Sequence, residues 1–163
     1  GGAEGGWSLD IVGQSPPASV RELADESVRV TGMVDDVRPY VQGAGVFIVP
    51  LRIGGGSRLK ILEAFAMGIP VVSTTVGCEG LGVEDGRELL VADTPRDFAR
   101  AIDRVTTDGA LRRALVERAT EHVRRHFTWE AIGRRLTTIY AERRGAGASR
   151  SVKEPMADRP AAT

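Results

Sequence analysis

Nine consecutive residues, Arg52-Ile53-Gly54-Gly55-Gly56-Ser57-Arg58-Leu59-Lys60, have the chemistry of an anion site. Consecutive glycines let backbone N–H groups approach a ligand closely, because no Cβ stands in the way. Ser57 is suited to cap a helix starting beside it, and that helix would point its positive end at the same spot. Arg58 and Lys60 then fall in the first turn, where a cation opposes the macrodipole by about 0.3–1 kcal/mol unless an anion offsets it. A glycine triplet alone reads first as a plain flexible turn. Its combination with Ser57, Arg58, Lys60 and Glu63 turns the reading toward a phosphate-bearing ligand.

The spacing excludes two better-known phosphate loops. Leu59 occupies the third glycine position of G-x-G-x-x-G counted from Gly54 and Gly56, and no Gly-Lys-Ser/Thr follows as in a Walker loop. Glu63 stands in an otherwise apolar run, Ile61-Leu62-Glu63-Ala64-Phe65-Ala66-Met67. It can be a solvated partner of Lys60, worth little at a surface. As an ionised carboxylate it only accepts hydrogen bonds, which suits a vicinal diol such as a ribose. Amides and cations for phosphates, with a carboxylate for hydroxyls, have the outline of a nucleotide site.

Short apolar runs alternate with helical periodicity, the pattern of an α/β fold: a mostly parallel, Rossmann-like sheet flanked by helices. Strands are expected at 8–12, 28–31, 46–49, 71–74 and 88–91. Helices are expected from Pro16-Pro17 through Asp25, from Asp35-Asp36 through Val41, and from Ser57 to Met67, the last closed by Gly68 and Pro70. Three longer amphipathic helices follow at 96–107, 109–125 and 128–144. Phe98, Ile102 and Val105 in the first, and Trp129, Ile132, Leu136 and Ile139 in the last, are expected to pack on the sheet and on one another. Residues 1–7 read as a flexible stub, 8–145 as the binding domain and 146–163 as a disordered tail. In open parallel sheets ligands bind at the carboxyl ends of the strands, where the glycine loop lies.

Composition narrows the class further. The 163 residues suffice for one domain, and 22 basic against 22 acidic residues give no global field for nucleic acid. With Cys78 as the single cysteine an internal disulfide is impossible, and a reducing, cytoplasmic setting is expected. No run approaches the ~20 apolar residues of a membrane span. A basic cluster of Arg143, Arg144, Arg150 and Lys153 leaves open a peripheral position on anionic lipid at the inner membrane face, against a solubilising tail. His122 and His126 lie one helical turn apart with no evident third ligand, so a solvated helix face is expected and no metal. Cys78 reads as a small loop filler, and Glu79 and Glu84 as solvated loop charges.

Several segments together carry a family resemblance. Leu62-Glu63-Ala64-Phe65-Ala66-Met67-Gly68-Ile69-Pro70-Val71-Val72 resembles the carboxyl-terminal motif of retaining glycosyltransferases of the family-four type, which have the two-domain GT-B architecture. Leu9-Asp10-Ile11-Val12-Gly13, Val30-Thr31-Gly32-Met33-Val34-Asp35-Asp36-Val37 and Phe127-Thr128-Trp129-Glu130 follow the family's order, so the likeness spans roughly 8–144. It implies a domain that binds a nucleotide-diphosphate sugar, with no cofactor and no metal. Two glutamates bracket the family motif: Glu63 matches the one that contacts ribose, and the one that contacts the donor sugar falls on Gly55.

The resemblance therefore carries no carboxylate to the sugar. Members with a Gly-Gly-Gly-Ser-Arg-Leu-Lys type of loop are similar to this chain. In that variant, backbone amides of Gly55, Gly56, Ser57 and Arg58, within the donor segment Gly54 to Lys60 that includes Leu59, serve sugar and diphosphate. Arg58 or Lys60 adds charge to stabilise the leaving group. Gly32-Met33-Val34 matches the loop that presents backbone groups to the base. The family's acceptor domain, and a first strand whose loop supplies an arginine and a lysine, do not precede Ser8. The chain is thus expected to be a donor-binding part, incomplete at its N-terminus and inactive alone, whose partners are the sugar nucleotide, an acceptor glycan or lipid-linked glycan, and an acceptor domain. A non-catalytic nucleotide- or phosphate-binding module and a sugar-nucleotide epimerase of GT-B type are the alternatives.

Overall fold

The computed structural model describes residues 6–54 and 56–148. The expectations for residues 1–5, Gly55 and 149–163, including Arg150 and Lys153, lie outside the described residues. The elements are β1 (Leu9–Val12), α1 (Ala18–Arg21), β2 (Val28–Gly32), α2 (Arg38–Gln42), β3 (Phe47–Val49), α3 (Leu59–Ala66), β4 (Val71–Ser73), α4 (Thr75–Cys78), β5 (Leu90–Val91), α5 (Pro95–Thr107), α6 (Gly109–His126) and α7 (Trp129–Ala148). The α/β alternation is the expected one. Every strand pairing is parallel, in three ladders that form two sheets where one was expected: β1 with β2, and β3-β4-β5 with β4 central.

Phe47, Ile48 and Val49 stand opposite Val71, Val72 and Ser73, and Val72 and Ser73 opposite Leu90 and Val91. β4 is buried on every residue, as a central parallel strand covered on both faces must be. One core cluster joins Val72, Leu90, Val105 and Leu115, with Val46, Ile48, Phe98, Ala101, Ile102 and Leu111 packed against it. α5 and α6 thus bury their apolar stripes as their periodicity requires. α3 buries Ile61, Ala64 and Phe65, and Thr120 of α6 donates to the Phe65 carbonyl at 3.2 Å. Gly68 closes α3 at φ +71°, a left-handed conformation that a side chain would strain, and its amide bonds the Phe65 carbonyl.

Four further expectations are corrected. The helix after Pro16-Pro17 is a single turn ending at Arg21, because Asp25 is spent on an Asx turn that receives the Ser27 and Val28 amides. The second helix begins at Arg38, where Asp36 accepts the Arg38 amide and holds the lead-in non-helical. β5 starts at Leu90 instead of Glu88, whose side chain folds back to accept the Glu84 amide at 3.0 Å.

The fourth concerns the last helix, which runs to Ala148. Along it Trp129, Ile132, Leu136, Ile139 and Tyr140 are exposed. Periodicity reports a one-sided apolar stripe but supplies no surface to cover it. The chain divides into two compact units, 1–122 and 123–163. Every candidate site residue belongs to the first. Among the described residues no helix is long and apolar enough to cross a membrane.

Candidate functional site

The candidate residues occupy the loops that leave the carboxyl ends of β2 and β3, and the helix α3 that the second of these enters. Gly32 ends β2, and Met33 and Val34 lead from it into Asp35 and Asp36. Met33 is among the most exposed apolar side chains of the described residues. The glycine loop leaves β3 by way of Pro50 and enters α3. Gly56 sits at φ +94°, in a region that strains any residue with a Cβ, which accounts for a glycine there in backbone terms.

The start of α3 differs from expectation. Arg58, not Ser57, is the N-cap residue, at φ −88° and ψ 42°, and no side chain caps the helix. Its carbonyl receives the Ile61 amide at 3.0 Å, so the first turn closes one residue later than a Ser57 cap would place it. α3 has no acidic residue in its first turn. Its uncapped amino end and Lys60 therefore remain as the positive features there. Arg52 and Lys60 are exposed and enter no ion pair with a described residue.

Arg58 is turned inward. Its side chain is only 8% exposed; Nη2 donates to the Val76 carbonyl at 2.8 Å and the Gly54 carbonyl at 3.1 Å, and stands 3.9 Å from Oε2 of Glu79. The sequence reading missed Val76 as a partner, because α4 is a single turn without periodicity. The signal available was Thr74, whose hydroxyl accepts the Gly77 amide at 3.0 Å and caps that turn.

Glu63 lies on the exposed side of α3, opposite the buried Ile61, Ala64 and Phe65. It lines a cleft of about 360 Å³ together with Met67 and with Asp35, Asp36, Val37 and Arg38. The fold thus brings Glu63 into one cleft with the segment that directly continues Gly32-Met33-Val34. Sequence reasoning had not placed Asp35, Asp36 or Arg38 in the site. Asp36 stays ionised, since hydrogen bonds from the Arg38 side chain and then from its amide hold its carboxyl below the usual range.

The neighbouring loops are fixed by polar contacts. Asp93 accepts from the Thr75 amide and hydroxyl at 2.8 and 2.7 Å, which lowers its pKa, the hydroxyl contributing most. His122, expected on a solvated helix face, is partly buried, with Nε2 2.8 Å from the Leu81 carbonyl; this tethers α6 to the loop after α4. The carbonyl only accepts, so Nε2 carries the proton. Cys78 is buried in α4, and Glu84 pairs with Arg87 at 3.3 Å.

Residues 3–108 match the family described as Glycosyl transferases group 1. The chain belongs to that family. Among curated relatives, the D-inositol 3-phosphate glycosyltransferase of Nocardioides sp. is 42% identical over 141 residues, 85% of this chain and 27% of that protein. The solved sucrose-phosphate synthase from Thermosynechococcus elongatus is 28% identical, with a TM-score of 0.68 over 85% of this chain and 39% of that one. Anabaena Alr3699/HepE, solved in complex with UDP, shares the fold at 17% identity and a TM-score of 0.71, over 83% of this chain and 41% of its own. The chain thus spans under a third of that curated relative and about two fifths of each solved chain. The fold is of the GT-B glycosyltransferase type.

Proposed function

We propose that this chain is the donor-binding half of a retaining, family-four-type glycosyltransferase with the Gly-Gly-Gly form of the donor loop. The observation that carries the reading is the cleft that holds Glu63 opposite Asp35–Arg38, with the uncapped amino end of α3 on the same helix. A nucleoside diphosphate laid along that helix meets, in order, groups suited to each of its parts. Backbone of Gly32, Met33 and Val34 faces the base. The Glu63 carboxylate receives two hydroxyl protons from the ribose. Amides at the start of α3, the glycine loop and Lys60 surround the diphosphate.

In transfer with retention, the bond from the anomeric carbon to the diphosphate oxygen breaks and negative charge grows on the departing diphosphate. Amides and a cation fixed there lower the barrier because they interact more strongly with the leaving group than with the intact donor. The donor sugar lies against Gly54, Gly55 and Gly56, where backbone replaces a carboxylate. The acceptor, a glycan or lipid-linked glycan at the inner face of the membrane, is oriented by a further domain of the longer enzyme. The reading uses no cofactor and no metal.

Calorimetric titration of the chain with UDP, GDP and their sugar conjugates tests this. Binding at micromolar to low millimolar Kd to one base and not the other is expected, because a cleft of fixed shape distinguishes a purine from a pyrimidine. A folded chain that binds none of them would overturn the reading.

A further inference from the structure

Arg58 is one of the two cations that the sequence offers for anion binding, yet its side chain is nearly enclosed and points into the protein. A single amino group, Nη2, divides its hydrogens between the Gly54 carbonyl on the loop after β3 and the Val76 carbonyl in the turn after β4. β3 and β4 are paired neighbours, so the guanidinium ties together the two loops that leave adjacent strands. Glu79, 3.9 Å from the same nitrogen and largely exposed, offsets part of its charge.

A planar guanidinium with fixed donor directions suits two carbonyls held in fixed places; a lysine ammonium is a compact point charge on a shorter reach and does not reproduce the arrangement. The loop it grips needs such a tie. Consecutive glycines have the greatest backbone freedom, and a loop that must order itself on binding gives up affinity. We propose that Arg58 is a positioning residue that clamps the glycine loop to α4, so that the loop's backbone donors form a cradle before donor arrives, and that Lys60 supplies the cation facing the diphosphate. This rests on the sugar-nucleotide reading of the loop.

The test uses the whole 163-residue chain and its R58M, R58K and K60M variants. Backbone 15N order parameters at Gly54, Gly56 and Ser57 without ligand, and titration with UDP and GDP, are the readouts. In the unmodified chain those amides should sit near the ~0.85 of rigid backbone, falling below about 0.6 in both Arg58 variants and staying unchanged in K60M. Affinity for the nucleoside diphosphate should fall about tenfold or more in all three. R58K with unmodified affinity and a rigid loop would show that a bare charge suffices, and would overturn the clamp. So would a loop already mobile in the unmodified chain.

If an Arg58 variant fails to fold, the unmodified chain still decides. A clamped guanidinium gives resolved, slowly rotating Nη protons before and after UDP or GDP is added; freely averaging ones refute the proposal. Failure of every nucleoside diphosphate to bind the unmodified chain removes the donor-site reading, and the order parameters judge the clamp regardless.

Discussion

The backbone amide of Gly77 donates to the hydroxyl of Thr74 across 3.0 Å, and that hydroxyl in turn donates to the carbonyl of Leu51. One side chain therefore caps α4 and fastens it to the strand exit that begins the glycine loop. Gly77 fits because it lacks a Cβ, which would lie 2.9 Å from the Val49 carbonyl and against Oγ of Ser73. G77A should destabilise the fold by about 1–3 kcal/mol through overpacking. T74V, which keeps the shape but removes the cap, should cost about 1–2 kcal/mol. Urea unfolding midpoints at constant m-value measure both.

Glu63 shares a cleft with Asp35–Arg38, and in the proposed donor site its carboxylate contacts the ribose. E63A should weaken nucleoside-diphosphate binding by about 1.5–3 kcal/mol, roughly tenfold to a hundredfold, as charge-assisted hydrogen bonds do. A 2′,3′-dideoxy nucleotide should bind the unmodified chain about as weakly as the ordinary nucleotide binds E63A, and E63A should not weaken it further. Additive losses in that cycle would separate Glu63 from the sugar hydroxyls.

Asp93 receives two hydrogen bonds from Thr75, and its folded pKa lies below the unfolded one. A carboxyl depressed in this way contributes stability above its unfolded pKa, of about 3.9, and loses that contribution as pH falls through the folded value. D93N should therefore be less stable than the unmodified chain at neutral pH, and the two should converge below the normal carboxylate range. Thermal melts from pH 7 down to pH 2 follow the difference. A gap that persists to the acid end would mean that the ionised form contributes nothing.

Cys78 is buried, and desolvation above all pushes its thiol pKa up. Because the thiolate is the reacting species, alkylation by iodoacetamide at pH 7.5 should run at least about tenfold slower in the folded chain than in denaturant. Rapid labelling of the native chain would contradict the packing of α4.

Much of the site was legible from local pattern. The run of glycines before an apolar helix, Gly68 at its end and Glu63 on its outward face follow from backbone preference and a period of 3.6, which depend on near neighbours alone. Asp35, Asp36 and Arg38 escaped notice because their place beside Glu63 is set by how β2 and α3 are arranged in space. The stripe on α7 was legible as a pattern; its exposure was not.

By itself the sequence determined the α/β alternation apart from the short α4, the family and the chemical types gathered around the glycine loop. Tertiary structure decided which of those groups line a cleft and which are turned inward. It turned Arg58 from a presumed anion contact into a tie between Gly54 and Val76, and joined Glu63 to the segment after Gly32 in one cleft. The reason lies in range. Hydrophobic period and dihedral preference act over one or two turns, whereas a guanidinium takes whichever carbonyls the folded strands bring within about 3 Å of it.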